Sequence, residues 1–273
     1  MQAPQSTSFR PISETLQEPR CETIDAICPT HGAYTSKVTT FEGITDRPFV
    51  VRSSCPDCLA ESRAKEDARK QAELNAERER RVAALMGRSG IPARFADRSF
   101  ANYDAKEQGQ RIALSVCRAY AEAWPEKSAQ GASLVLTGSP GTGKTHLACA
   151  IGNTVLRDHF AGVLFATVSA MLRAIKETYR KDSPRTEQDV IDRLATPDLL
   201  IVDEVGVQVG SEHEKLLMFE VLNERYQNMR PSILISNLSV DELEAFLGHR
   251  VMDRYRECGS VLAFDWQSHR GAQ

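Results

Sequence analysis

The chain has 273 residues, of which 41% are hydrophobic and 26% are charged, an ordinary composition for a globular protein. Its net charge of −3 at pH 7 excludes nucleic-acid binding through overall positive charge, so any such site must be a local basic patch. No apolar run is long enough to span a bilayer, and no segment resembles a signal peptide. We therefore expect a cytoplasmic protein with no membrane partner.

Composition divides the chain into four predicted parts. Residues 1–20 are polar and contain three prolines, which is typical of a disordered arm. Residues 21–58 contain four of the seven cysteines. Residues 59–87 are rich in Ala, Glu, Lys and Arg and lack proline, which predicts a long helix, either a solvated linker or a surface that docks on a partner. Residues 88–273 form the main domain.

The cysteine-rich part predicts a metal site. Cys28 and His31 form a C-x2-H pair, and Cys55 and Cys58 form a C-x2-C pair. Four such ligands favour tetrahedral Zn²⁺, and the β-type residues between the pairs predict a small zinc ribbon that depends on the ion. Two alternatives stay open, namely that Cys21 replaces His31 and that the cysteines are free. The ribbon would bind either protein or nucleic acid.

The main domain alternates short apolar runs with helical stretches. This pattern predicts an α/β fold in which crossover helices flank a five-stranded, largely parallel sheet. The predicted strands are Ser133–Thr137, Val163–Thr167, Leu199–Asp203, Ser232–Ser236 and Val261–Asp265.

A phosphate-binding motif follows the first of these strands. The sequence GSPGTGKT fits G-x-x-x-x-G-K-[ST] at every fixed position, and a helical stretch comes directly after it. Lys144 should contact the β- and γ-phosphates of ATP, and Thr145 should bind Mg²⁺. The alternative is a chance glycine-rich turn. The residues predicted to bind the nucleotide are Gly138, Ser139, Pro140, Gly141, Thr142, Gly143, Lys144, Thr145 and His146.

Polar residues at two other strand ends would complete an ATPase site. Asp203 ends the strand LLIV and should hold Mg²⁺, and Glu204 should orient or deprotonate the attacking water. Asn237, at the end of the next strand, could contact the γ-phosphate. Arg250 and Arg254 share one helix face, which suits either an arginine finger or a solvated charged surface.

Several segments together identify a family. The segments IPARFADRSFANYDA, GTGKTHLA, LRAIKETYRKD, TPDLLIVDEVGVQ, ILISN, LGHRVMDRYRE and FDWQSHR resemble the DnaC family of replicative helicase loaders, which are AAA+ ATPases. The resemblance covers about residues 90–270. The phosphate loop alone is generic, whereas its combination with VMDRYR and FDWQSHR is specific. The N-terminal cysteine motif is a difference from some family members, which lack a metal-binding cluster there.

The resemblance implies roles for individual residues. Asn237 would be the sensor 1 residue, Arg254 the arginine finger and Arg270 the sensor 2 arginine. Residues Ser169–Leu194 would contain the extra helix that the family carries between its second and third strands. The candidates for contacts with single-stranded DNA on this segment are Lys176, Tyr179, Arg180 and Lys181.

The family also implies a function and partners. ATP and Mg²⁺ would lie between adjacent subunits of a ring or spiral, and the N-terminal parts would bind a hexameric DnaB-type helicase. The assembly would place that helicase on single-stranded DNA during replication initiation. The alternatives are an IstB-type transposition ATPase and an ATP-gated DNA-binding switch with little turnover.

Overall fold

The computed structural model describes residues 18–42, 48–207 and 212–268. The chain divides after Glu77 into two compact units. The predicted arm over residues 1–20 lies outside the described residues except for positions 18–20. Within the described ranges, none of the helices combines the length and apolar composition that crossing a bilayer requires.

The N-terminal unit contains a three-stranded antiparallel sheet in the order β1-β2-β3. β1 (Arg20–Cys28) and β2 (Gly32–Phe41) form a hairpin, and β3 (Phe49–Arg52) pairs with β2. This sheet agrees with the predicted small β-module. Among its described residues only Cys28, Ser36 and Cys55 are buried, so the unit has almost no apolar core.

A long helix, α1 (Pro56–Arg88), follows the small sheet and confirms the helix predicted over 59–87. It begins at a proline, which is well tolerated in the first turn of a helix. None of its residues is buried. Ion pairs between residues four positions apart stabilise such an exposed helix, as between Lys70 Nζ and Glu66 Oε1 at 2.8 Å.

The larger unit is built on a parallel sheet with the strand order β5-β6-β7-β4-β8. All five strands lie where the apolar runs predicted them, which confirms the fold class. The central strands consist almost entirely of buried residues, because helices cover both faces. The strands are β4 (Ser133–Gly138), β5 (Val163–Thr167), β6 (Leu199–Val205), β7 (Ser232–Ser236) and β8 (Gly259–Phe264).

Helices pack on the two faces and form two apolar clusters. One cluster includes residues of α2 and α4, and the other includes residues of α5, α6, α7 and α9. The helices are α2 (Gln108–Glu122), α3 (Trp124–Ala129), α4 (Lys144–Asp158), α5 (Val168–Glu177), α6 (Glu187–Ala195), α7 (Glu212–Gln227), α8 (Val240–Leu247) and α9 (His249–Cys258), with a 3₁₀ turn at Ala93–Phe95.

The segment between β5 and β6 contains two helices rather than one. α5 ends at Glu177, and α6 begins after Thr186, whose hydroxyl accepts the backbone N–H of Asp189 in a capping box. Pro184 lies in the connection and cannot continue a helix, because it lacks the N–H donor. The extra helical segment predicted over Ser169–Leu194 is therefore a helical pair.

Candidate nucleotide and metal sites

The phosphate loop joins the end of β4 to the start of α4. Gly138 and Gly143 have φ values of +118° and +96°, a region that favours glycine. A Cβ atom on Gly138 would lie 2.4 Å from the backbone oxygen of Phe264, so only glycine fits there. α4 begins at Lys144, and a helix N-terminus directs N–H groups and a positive dipole end at any anion in front of it. The loop therefore has the shape and polarity of an anion site.

Lys144 lies inside this loop. Its Nζ atom donates to the carbonyl oxygens of Gly138 and Ser139 at 2.6 and 2.7 Å, and the residue is only 5% exposed. The Thr142 hydroxyl also donates to the Ser139 carbonyl, at 2.8 Å. These bonds hold the ammonium group against the backbone of the loop.

Thr145 and Asp203 bring two oxygen ligands together. The Thr145 hydroxyl donates to Asp203 Oδ2 at 3.0 Å, which connects the first turn of α4 to β6. Burial raises the pKa of the Asp203 carboxyl above its usual value, while hydrogen bonds from the Glu204 N–H and the Thr145 hydroxyl act in the opposite direction. Hydroxyl and carboxylate oxygens are ligands that Mg²⁺ prefers, so these two residues fit the predicted magnesium site.

Glu204 lies near the end of β6, and Asn237 directly follows β7, at the same edge of the sheet as the phosphate loop. The backbone N–H of Glu204 donates to Asp203 Oδ1 at 2.8 Å, and Glu204 has a φ of +63°. Non-glycine residues rarely adopt this conformation, and such residues cluster at functional sites. Both Glu204 and Asn237 are exposed, so either side chain is accessible to a bound ligand or water.

A cavity of about 500 Å³ connects these elements. Gly138, Ser139 and Thr142 lie outside its lining, and Thr142 is fully buried. The lining includes nine predicted residues: Pro140, Gly141, Gly143, Lys144, Thr145, His146, Asp203, Glu204 and Asn237. It also includes four that sequence reasoning did not identify: Arg94, Phe95, Arg98 and Ile235.

His146 lines the cavity but is engaged by the segment that precedes α2. Its Nε2 atom lies 3.0 Å from the carbonyl oxygen of Ser99, and its ring packs edge-on against Tyr103 with 5.2 Å between centroids. Burial lowers the pKa of the imidazole, so the neutral ring donates from Nε2 to Ser99. These contacts give His146 a part in packing beside the phosphate loop.

Two of the predicted arginines, Arg250 and Arg254, lie outside the lining of this cavity. Arg254 in α9 donates to Asn223 Oδ1 of α7, and its guanidinium lies 4.8 Å from the ring centroid of Tyr226. Arg250, one turn earlier, is exposed. Arg254 therefore contacts α7 and does not line the nucleotide cavity of its own chain. The predicted sensor 2 residue, Arg270, lies outside the described residues.

The candidates for DNA contacts lie at the end of α5 and just after it. Lys176 pairs with Glu214 at 2.7 Å, and the Tyr179 hydroxyl donates to Glu187 at 2.5 Å. Lys176 and Arg180 also line a shallow cavity of about 410 Å³ together with Arg173. The basic groups share one side of this segment. Arg180 also pairs with Asp182 at 3.5 Å, so three of the four candidates already have acidic partners.

Four predicted zinc ligands converge in the N-terminal unit. The Sγ atoms of Cys28, Cys55 and Cys58 and the Nδ1 atom of His31 all lie within 4.8 Å of one another. Cys58 Sγ is 3.4 Å from Cys28 Sγ and 3.3 Å from His31 Nδ1. Tetrahedral zinc with bonds of about 2.0–2.3 Å requires ligand separations of roughly 3.3–3.8 Å. Four of the six ligand pairs, at 3.3–3.8 Å, already match this requirement, so the cluster is close to the geometry that Zn²⁺ needs.

Surrounding groups favour the thiolate of Cys28 and orient the ring of His31. Backbone N–H groups of Thr30 and His31 lower the pKa of the Cys28 thiol to about 6, which favours the thiolate. His31 Nε2 lies 3.0 Å from Glu61 Oε1, and such a carboxylate fixes the tautomer that presents the other nitrogen to a metal. Cys21 is exposed and lies outside the cluster. The geometry favours His31 over Cys21 as the fourth ligand.

Removing zinc should unfold the N-terminal sheet and leave the ATPase unit folded. The reason is that this unit has almost no buried apolar side chains, so the ion would supply most of its stability. We expect one zinc per chain by inductively coupled plasma analysis. We also expect Cys58→Ser to lose zinc and expose the sheet to protease. Cys21→Ser is the matched control and should retain zinc. Zinc-free protein with a protected N-terminal unit would contradict the assignment.

Comparison with known proteins places the larger unit in a family. The family model for IstB-like ATP-binding proteins matches residues 66–255. The replicative helicase loader DnaC of Escherichia coli K12 is 38% identical over 71% of this chain and 79% of its own length. DnaC of Buchnera aphidicola from Acyrthosiphon pisum is 37% identical over 68% of this chain and 74% of its own length.

Solved structures support the same fold. A crystal structure of the DnaC helicase loader superposes with a TM-score of 0.57 at 22% identity, covering 63% of this chain and 99% of that chain. At this identity the likeness supports the fold alone. Together with the sequence relatives, the phosphate loop and the acidic strand end, it leads to one conclusion. The chain belongs to the IstB-like family of AAA+ ATP-binding proteins that includes the DnaC replicative helicase loaders.

Proposed function

We propose that this protein is an ATP-dependent loader that binds a hexameric DnaB-type replicative helicase and places it on single-stranded DNA. The observation that carries the proposal is the 37–38% identity to DnaC loaders over about 70% of the chain. The nucleotide cavity supports it, because the phosphate loop, the acidic strand end and Asn237 meet there. A loader of this kind would use ATP to control its own assembly and its affinity for the helicase.

In the proposed mechanism, ATP binds in the cavity at the phosphate loop. The N–H groups of the loop and the Lys144 ammonium would hold the β- and γ-phosphates. Thr145 and Asp203 would hold Mg²⁺, which neutralises charge on the phosphate oxygens when bound. Glu204 would orient or deprotonate the attacking water, and Asn237 would fix its position beside the γ-phosphate.

A neighbouring subunit would complete this site. Arg254 does not line the cavity of its own chain, which is consistent with delivery of its guanidinium to the γ-phosphate of an adjacent copy. ATP hydrolysis would then depend on assembly into a ring or spiral. Arg270 would serve as the sensor 2 arginine in the same chain as the nucleotide.

The N-terminal unit would bind the helicase. The family model begins at residue 66, so the small sheet and the zinc cluster lie outside the part shared across the family. The exposed surface of α1 and the compact zinc module offer a rigid attachment for a partner. We assign helicase binding to residues 21–87 and ATP-controlled assembly to residues 88–273.

Single-stranded DNA would bind beside α5. Arg173, Lys176 and Arg180 lie along one side of this helix and its C-terminal extension, where cations can follow a phosphate backbone. Tyr179 is 53% exposed and could stack on a base if its bond to Glu187 is released. The helicase would thereby be brought to DNA that the loader itself contacts.

We expect the full chain to co-elute with the replicative helicase of its host in the presence of ATP and to load it onto circular single-stranded DNA. Loading can be measured as unwinding of an annealed strand. Cys58→Ser should lose co-elution while retaining ATP binding, because it disrupts only the zinc module. A protein that neither co-elutes with the helicase nor increases its loading would refute the proposal.

A transposition ATPase is the alternative with direct support, because the matching family model is named for IstB. That function requires the same ATP site but a transposase as the partner. A pull-down from the native host with and without ATP distinguishes the two. Recovery of a transposase instead of a helicase would favour the alternative.

A further inference from the structure

Two aromatic side chains donate hydrogen bonds to one carbonyl oxygen of the phosphate loop. The Tyr103 hydroxyl lies 3.3 Å from the backbone oxygen of Thr142, and Trp266 Nε1 lies 3.0 Å from the same atom. Tyr103 precedes α2, and Trp266 follows β8, so the two donors come from widely separated parts of the sequence. Both are buried, at 8% and 7% exposure.

We propose that Tyr103 and Trp266 are positioning residues for nucleotide binding, because they fix the peptide plane between Thr142 and Gly143. The C=O and N–H groups of a trans peptide point in opposite directions, and the described residues contain no cis peptide. The two donors hold the Thr142 carbonyl toward themselves. The Gly143 N–H therefore points the opposite way, toward the nucleotide cavity that Gly143 lines.

The packing at Gly143 supports this role. Gly143 has a φ of +96°, and a Cβ atom there would lie 2.7 Å from the Tyr103 ring. The ring thus fills the space that a side chain would need. Burial also raises the pKa of Tyr103 to about 12, so its hydroxyl remains a protonated donor. The proposal rests on ATP binding at the phosphate loop and not on the helicase.

The two donors should be partly redundant. Loss of one hydrogen bond corresponds to roughly a 3- to 10-fold change in an equilibrium. Since either donor alone can hold the carbonyl, we expect Tyr103→Phe and Trp266→Phe each to raise the Kd for Mg-ATP only about 3-fold. The double variant should raise it more than the product of the single effects, because residues acting on one group do not behave additively.

Tyr120 provides a matched control. Its hydroxyl donates to the backbone oxygen of Ala132 at 2.6 Å, and the residue is 4% exposed, but it does not line the nucleotide cavity. Tyr120→Phe removes the same kind of buried bond elsewhere in the ATPase unit. It should lower the thermal unfolding midpoint without changing the Kd for ATP.

The experiment is a titration of the purified full-length variants with a fluorescent ATP analogue and Mg²⁺, without helicase, beside their thermal unfolding midpoints. An enlarged Kd in the double variant, with Tyr120→Phe unchanged, supports the proposal. A double variant that binds within two-fold of the original protein would overturn it. Equal weakening by Tyr120→Phe, or no ATP binding by the original protein, would do the same. Failure of helicase loading alone would leave this result intact.

Discussion

Replacing Lys144 with alanine should weaken ATP binding by roughly 100-fold, since two to three charge-assisted hydrogen bonds to phosphate would be lost. The ammonium group already lies within 2.7 Å of two loop carbonyls, so its position needs little adjustment to reach a phosphate. Its removal also deletes the only lysine in the lining of the nucleotide cavity, as far as the described residues define it. The measurement is the Kd of the purified variant for Mg-ATP.

Glu204→Gln distinguishes binding from hydrolysis at the same site. Glutamine retains the shape of the side chain but cannot accept a proton, so ATP affinity should be unchanged while turnover falls by about 100-fold or more.

For Lys144→Ala, the matched control is Lys176→Ala, because Lys176 pairs with Glu214 away from the cavity. Unaltered ATP affinity in Lys144→Ala would remove the basis for every role assigned to the loop.

The fold was largely predictable because its strands and helices each follow from a short, continuous stretch of sequence. β4, β6 and β7 are buried on both faces, so they read as continuous apolar runs that are easily distinguished from the amphipathic helices between them. The phosphate loop is equally local, since its glycines, Lys144 and Thr145 are consecutive in sequence. The cysteine pairs Cys28 to His31 and Cys55 to Cys58 likewise predicted the cluster that the fold brings together.

The remaining features depend on contacts between distant segments. Phe95 and Arg98 line the nucleotide cavity from an irregular segment whose local sequence gave no periodic pattern. Trp266 reaches Thr142 across 124 positions, a contact that only the parallel pairing of β8 with β4 makes possible. The break between α5 and α6 could have been placed from Pro184. The contact of Arg254 with the Tyr226 ring could not be predicted, because neither helix has a sequence pattern that indicates which other helix it packs against.

Arg254→Ala should abolish most ATP turnover while leaving ATP affinity unchanged. An arginine finger contributes about 10³-fold or more to hydrolysis by stabilising charge in the transition state. In this chain Arg254 lies on α9 and contacts Asn223 and Tyr226, outside the lining of its own nucleotide cavity. Arg256→Ala is the matched control on the same helix, because Arg256 pairs with Glu244 at 2.6 Å. The control should retain turnover.

Mixing two inactive variants tests whether Arg254 acts on a neighbour. Lys144→Ala subunits have the arginine but no functional site, and Arg254→Ala subunits have the site but no arginine. Head-to-tail contacts in an equal mixture would pair an intact site with an intact arginine at about one interface in four. Turnover should therefore reappear in the mixture, although neither variant has it alone. If the mixture remains inactive while both variants still assemble, Arg254 does not complete the site of an adjacent subunit.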